Sequence, residues 1–385
     1  MKRALIVLGI FATLIVFLGL LPIAIITSDL ITPDFYGIFF LITIVITMLI
    51  IYWLSSFARD NNQYINNISL NDASEDFKKL YDSLYNNNIG KLEKLRKQVK
   101  IRQIIFYILM GIFIIQYIML DSEIEMIIFS KNIDMIIKLL AFPNAFILML
   151  LGISLSKYKK KYQKQYKDEI IINFIKLLNQ NLIYEPEYAK DRIELLYKNV
   201  GFENRKYNRV YSDDYISGKI VEGIDLKMVD LHLQNVTESG KNRSIEEIFQ
   251  GLFAITNCNK SISTPIKITK DKFKFKESDE LVKLDSSEFE SYFDIYSKDK
   301  ILALQILTAD TMEYLIDFYK KYMLDFDIVI KENNIFMRFH TGAMFEPKIF
   351  GSSMEKELLF MYYCVLEFVV ELTRKINKTV KEFDE

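Results

Sequence analysis

The chain has 385 residues, 51% of them hydrophobic, and balances 49 Lys and Arg against 50 Asp and Glu for a net charge of −1. That balance excludes a general nucleic-acid binder, which needs a dominant basic surface. Its two cysteines, Cys258 and Cys364, and its two histidines, His232 and His340, exclude a disulfide framework, a zinc site and a His-rich metal centre, and they suit a reducing compartment.

The apolar fraction exceeds a typical soluble average and falls short of an all-membrane transporter, so a mixed chain is expected. Apolar runs occupy residues 4–26, 35–57, 104–120 and 133–155. Each is read as a membrane span, because about 20 apolar residues cross the roughly 30 Å of hydrocarbon. Lys2 and Arg3 could instead open a secretory signal, but the following run is too long and lacks a small-x-small cleavage site. The link 28–34 carries no Lys or Arg and the link from Asp121 only Lys131, whereas Lys2, Arg3, residues 91–102 and residues 157–167 are rich in positive charge. Positive flanks stay inside, which predicts a multi-pass cell-membrane protein with both termini cytoplasmic. Lys138, in the fourth run, is read as snorkelling to the headgroups and pairing with Asp134 rather than as part of a transport path. Gln116 and the Pro143-Asn144 pair are the other polar or kinking features of these runs.

The predicted organisation is a first transmembrane hairpin at 1–57, an amphipathic connector at 58–102 and a second hairpin at 103–156. A basic juxtamembrane segment at 157–200 and a cytoplasmic α+β domain at 201–385 follow. In the connector, Phe77, Leu80, Tyr81, Leu84 and Tyr85 form a helical stripe that packs on the domain or lies at the lipid interface, and residues 86–90 (NNNIG) are expected to break it. Residues 168–197 read as helix interrupted at Glu185-Pro186. Strands are predicted over 227–236 and 248–255, with Gly251 at a bulge or close approach, and at 266–268 and 281–284. A helix over 298–322 precedes a hairpin of 326–330 and 335–339 turning through residues 331–334. The chain closes on a helix from about Ser353, whose stripe of Leu358, Tyr362, Val365, Val369, Leu372 and Ile376 docks on the sheet or forms a homo-oligomeric coiled coil. Strands in blocks joined by turns favour an antiparallel sheet with helices on one face.

Sequence motifs supply little chemistry. P-loop, GxGxxG, HExxH, GxSxG and EF-hand patterns do not occur, so no cofactor is expected and the pattern points away from an enzyme. Residues 239–242 (SGKN) read as a surface turn. Asp213-Asp214 could supply oxygen ligands to a hard cation, yet beside Tyr211, Tyr215 and Ser217-Gly218 the pair reads as the start of a turn. Neither histidine has a Ser or Cys spaced to form a nucleophile pair, and Glu288 and Glu290 read as a solvated face. The strongest claim to a role belongs to Lys157, Lys159, Lys160, Lys161, Lys164 and Lys167. Interleaved with Tyr158, Tyr162 and Tyr166, these cations are expected to contact the anionic inner leaflet, at about 1 kcal/mol each.

Residues 211–218 (YSDDYISG), 248–253 (IFQGLF), 287–297 (SEFESYFDIYS), 307–315 (LTADTMEYL) and 345–347 (FEP) occur in that order. In this combination the chain resembles, over about residues 75–383, the bacterial membrane family catalogued as domain of unknown function 3137. The resemblance implies a membrane-tethered cytoplasmic domain and brings no reaction, cofactor or catalytic residue with it. The expected function is a membrane-anchored, non-catalytic scaffold or sensor with a protein partner. The alternative is an enzyme acting on a membrane-proximal substrate through carboxylates that the sequence does not pair, and a transporter is disfavoured by the dry spans.

Overall fold

The computed structural model describes residue 70 and residues 73–118, 131–187, 191–202, 205–220, 223–239, 242–270 and 281–382. Two compact units divide the chain, one of residues 1–60 and 94–162, the other of residues 61–93 and 163–385.

The first unit corrects the membrane architecture. The runs at 4–26 and 35–57 lie outside the described residues. The runs at 104–120 and 133–155 fall on α1 (Glu75–Ile118) and α2 (Lys131–Tyr166). Among the described residues no helix is long and apolar enough to cross a membrane. The four-span fold, the multi-pass localisation and the orientation drawn from flanking charge are therefore not supported. In this unit the Arg102 guanidinium lies 3.6 Å from the centre of the Tyr158 ring.

The second unit is α+β. Its helices include a π-helical turn at Lys167–Ile171 running into α3 (Ile172–Leu178), then α4 (Asp191–Val200), α5 (Ser287–Glu290), α6 (Lys300–Ile306), α7 (Ala309–Tyr322) and α8 (Lys356–Glu382). Its strands are β1 (Leu182–Glu185), β2 (Arg209–Lys219), β3 (Asp225–Ser239), β4 (Asn242–Lys270), β5 (Phe293–Tyr296) and β6 (Phe326–Phe339). They form one six-stranded sheet of order β1-β2-β3-β4-β5, with β6 also paired to β4, and every pairing is antiparallel.

Several local expectations change in the tertiary context. The predicted hairpin at 326–339 is a single long strand, because both halves pair with β4, Leu252 opposite Phe339 and Thr269 opposite Asp327. The Asn-rich stretch survives only as an irregularity, with Glu332 at φ 55° opposite the shifted register of 257–262. The expected break at 86–90 does not form; α1 continues through it, with Phe77, Leu84 and Leu92 buried on either side to hold weak helix formers in place. Residues 281–284 contribute only a bridge from Leu281 to Tyr296, and the helix expected over 298–322 divides where Thr308 caps α7 through the Thr311 N–H.

Helices cover both faces of the sheet, not one. On one face Ile193, Tyr197 and Val200 of α4 pack with Val229, Leu231, Phe253, Ile255 and Phe336. Residues of the other parity point to α8, where Thr256 Oγ1 meets Thr373 Oγ1 at 2.8 Å and Asn377 accepts from the Asn259 N–H at 2.8 Å. The stripe Leu358, Tyr362, Val365, Val369, Leu372 and Ile376 is buried within the chain, which is the docking reading of that helix. Of the connector stripe, Phe77, Leu80 and Leu84 are buried, Tyr81 is half-buried and Tyr85 is exposed. Phe77 lies 4.8 Å from Phe360 and 5.5 Å from Tyr363 between ring centres, and the Tyr81 hydroxyl donates to the Met354 carbonyl at 3.0 Å. Gly251 is at a close approach, as expected. Its φ is +157°, and a Cβ there would lie 1.9 Å from the Phe339 carbonyl oxygen.

One ion pair locks α4, β4 and β6 together beneath this core. Arg338 Nε donates to Asp327 Oδ2 at 2.6 Å and its Nη1 to the Tyr197 hydroxyl at 2.9 Å, while Thr269 Oγ1 donates to Asp327 Oδ1 at 2.5 Å. Burial alone would raise the Asp327 carboxyl; the Arg338 charge and the bonds from His340 and Thr269 outweigh it and hold it near 2. Breaking such a pair leaves an uncompensated buried charge. Asp327→Ala is expected to cost about 3–5 kcal/mol at neutral pH, read as a lower urea midpoint. The wild-type contribution is complete above the ordinary carboxylate range and fades as pH falls through about 2.

Candidate functional site

The polar groups of the second unit converge where the π-helical turn, β1, β2 and the loop after β6 meet. Asp213 and Asp214 sit inside strand β2, which corrects the turn reading. The register against β3 shifts between Asp213 and Ile216, and Asp214 takes φ 55°. That bulge breaks the alternation of side chains, so two neighbouring carboxylates reach one place. The π-helical turn, a wider coil often found at functional sites, turns Lys167 inward, and Phe345 at φ 57° presents Glu346 from the loop.

Lys167 Nζ lies 2.7 Å from Asp214 Oδ2, 3.2 Å from Glu346 Oε1 and 3.3 Å from Asp213 Oδ2. Asp214 is fully buried and the lysine side chain 10% exposed, whereas Asp213 and Glu346 reach solvent at 49% and 37%. The Tyr184 hydroxyl donates to Asp214 Oδ1 in a short bond, and Gln163 Nε2 donates to Glu346 Oε2 at 2.9 Å. Next to this group Asp230, opposite Asp213 in the sheet, accepts the Met344 N–H at 2.7 Å, and the Tyr362 hydroxyl accepts the Phe345 N–H at 2.7 Å.

Burial sets the electrostatics. It pushes the Asp214 carboxyl up to about 7, against the opposing pull of Lys167. Asp230 is raised as well, first by burial and then by the neighbouring Asp213. Burial alone would lower the Lys167 ammonium, but Asp214 and Glu346 reverse the direction and hold it protonated. Oxygens of Asp213, Asp214 and Glu346 lie within 4.8 Å of one another, a spacing a hard cation could use. The Lys167 ammonium already stands among them and answers their charge. The arrangement is an internal ion cluster.

The remaining expected site residues separate. Lys157, Lys159, Lys160, Lys161 and Lys164 are exposed, while Lys167 is withdrawn into the cluster by the inward π turn and is not a surface cation. His232 pairs with Glu247 and His340 with Asp327 at 3.5 Å; among the described residues neither is hydrogen-bonded to a serine or cysteine. Cys258 and Cys364 are buried free thiols, and burial pushes Cys364 up to about 12, far from a reactive thiolate. Tyr184 and Asp230 were not visible as site residues in sequence, because a hydroxyl on one strand and a carboxylate on another carry no spacing signal.

A second feature is an open groove of about 780 Å³ beside α8. Leu80 of α1, Leu182 of β1, Ile220, Leu226, Leu366 and Val370 supply apolar wall, and Asp76, Lys79, Tyr314, Glu367, Glu371 and Arg374 supply the polar groups.

Residues 247–378 match the family model described as protein of unknown function (DUF3137), and the resemblance read from the motifs holds over that stretch. The comparison with curated proteins gave no match. Among solved structures, the crystal structure of the mycobacterial trehalose monomycolate transport factor A, TtfA, is similar at 10% identity and a TM-score of 0.32, over 57% of this chain and 93% of that one. A likeness that remote carries no argument here.

The cluster predicts a pH signature. A carboxyl raised to about 7 in the folded state binds a proton that the unfolded chain has already lost, so stability falls as pH rises from about 4 to about 7. Urea unfolding should show the wild type less stable at pH 8 than at pH 5, with a flatter profile for Asp214→Asn. Lys167→Met removes the compensating cation and is expected to cost about 3–5 kcal/mol at pH 8, and less at pH 5, where Asp214 takes up a proton.

Proposed function

We propose that this chain is a non-catalytic scaffold whose α+β unit binds a protein partner. The observation that carries the reading is the mutual saturation of its strongest polar groups. The lysine and the carboxylates that would serve acid–base chemistry are bonded to one another, with Asp214 at 0% exposure, while the groove beside α8 is open and lined by both apolar and polar side chains. A catalytic group must reach the atom on which it acts. Asp214 has the raised carboxyl that an enzyme using paired carboxylates would want, yet a substrate arriving from solvent meets Asp213 and Glu346 first.

Mixed apolar and polar lining suits a binding groove, where apolar contact supplies affinity and a few placed polar groups supply orientation. Val370 is half-buried on the groove wall, and a larger charged side chain there fills the groove without entering the core. The test is affinity capture with the tagged full chain, comparing wild type with Val370→Arg after both give matching thermal melts. The expected outcome is a protein retained reproducibly by the wild type and lost by the variant. No retained protein, or equal retention by both, contradicts the reading.

A further inference from the structure

On the first unit, exposed positive charge and exposed apolar side chains share the same two helices. A Cβ on Gly152 would meet Phe106 at 3.4 Å and Arg102 stacks on Tyr158, so α1 and α2 run antiparallel in contact. No Asp or Glu occurs from residue 94 to 118 or from residue 135 to 167. Lys94 and Lys97 of α1 and Lys157, Lys159, Lys160 and Lys161 of α2 are exposed, and none is in an ion pair among the described residues. Glu93, just before this stretch, accepts from Ser353 Oγ at 3.1 Å. Ile101 of α1 and Phe146, Met149 and Ile153 of α2 are each more than half exposed, and Ile104 and Ile105 extend the apolar zone. Because the helices are antiparallel, both place their lysines at the same end of that zone. The Arg102–Tyr158 pair marks the boundary.

A partner helix is met by an apolar stripe that runs along a helix with charges to either side. Here the apolar and cationic zones follow one another along both helices, with a cation–aromatic pair between them. That is the order in which one lipid leaflet presents acyl chains, interface and phosphates. Lysine stems pack against apolar surface while their ammonium groups stay among the headgroups. We infer that this end of α1 and α2 binds an anionic lipid surface, its exposed lysines on the headgroup phosphates and Ile101, Phe146, Met149 and Ile153 among the acyl chains. Contact with one leaflet needs no helix that crosses it. Lys167 takes no part, since it is held by Asp214 in the cluster. The inference is independent of the groove and of the scaffold reading.

The test floats the purified full chain with vesicles of phosphatidylcholine alone and of phosphatidylcholine mixed with phosphatidylserine. The mixed vesicles are expected to bind it about tenfold or more tightly, and added salt should shrink the difference. The combined substitutions Lys157→Gln, Lys159→Gln, Lys160→Gln and Lys161→Gln should weaken binding to mixed vesicles by on the order of a hundredfold. Phe146→Ser with Met149→Ser should weaken it about tenfold. All six positions are exposed, so melts matching the wild type are expected. Equal binding to both kinds of vesicle, or unchanged binding by the glutamine variant, overturns the inference. Heparin, a polyanion without an apolar interior, separates charge from lipid. If the glutamine variant loses both heparin and vesicles while the serine variant binds mixed vesicles as the wild type does, the surface takes a polyanion and the lipid assignment falls.

Discussion

The interaction on which the second unit turns is the burial of one lysine ammonium among carboxylates drawn from separate parts of the chain. Lys167 comes from the π-helical turn, Asp213 and Asp214 from the bulge of β2, and Glu346 from the loop after β6. No two of these segments are joined by a short connection, so the cluster fixes their relative placement in a way that apolar packing alone would leave looser. Charges taken out of water are costly unless paired and hydrogen-bonded. The Tyr184 hydroxyl, the Gln163 amide and the Lys167 ammonium between them supply that pairing. The left-handed backbone at Asp214 and Phe345 belongs to the same economy, since each turn delivers its neighbourhood to the cluster.

That constraint also separates what is built for stability from what is available for binding. In the core, Arg338 and Asp327 repeat the pattern of Lys167 and Asp214, a buried cation held by a carboxylate and finished by a tyrosine hydroxyl. Charged groups used this way specify the fold and are withdrawn from chemistry with outside molecules. Beside α8 the situation is reversed. There Asp76, Glu367 and Glu371 share an open groove with Lys79 and Arg374, and these charged groups are not withdrawn into the core.

Much of the sheet unit was legible in the sequence wherever periodicity reports burial. The alternation of 227–236, the apolar run of 248–255 and the stripe from Leu358 to Ile376 all lie in the elements they indicate. The resemblance to domain of unknown function 3137 stands over 247–378. Non-local pairing defeated the rest. The Asn-rich stretch within 331–334 has the chemistry of a turn, yet β4 is long enough to pair on both sides of it. Asp213-Asp214 also has turn chemistry, but the bulge that makes the pair a cluster exists only in the register with β3. Lys167 read as one of six equivalent juxtamembrane cations, and nothing local announces the π turn that buries it. The membrane spans were inferred from run length in apolar residues, a one-dimensional measure. Among the described residues no helix is long and apolar enough to cross a bilayer.

The central claim is that the Lys167 cluster is ionically complete within the chain, and calorimetric titration of the purified protein with magnesium, calcium and manganese at pH 8 tests it most directly. The account predicts no saturable heat and no change in melting temperature, because the ammonium already occupies the space between the carboxylates. Saturable binding of one of these ions that is lost in Asp213→Asn would contradict it, and would make the cluster a metal site with Lys167 displaced.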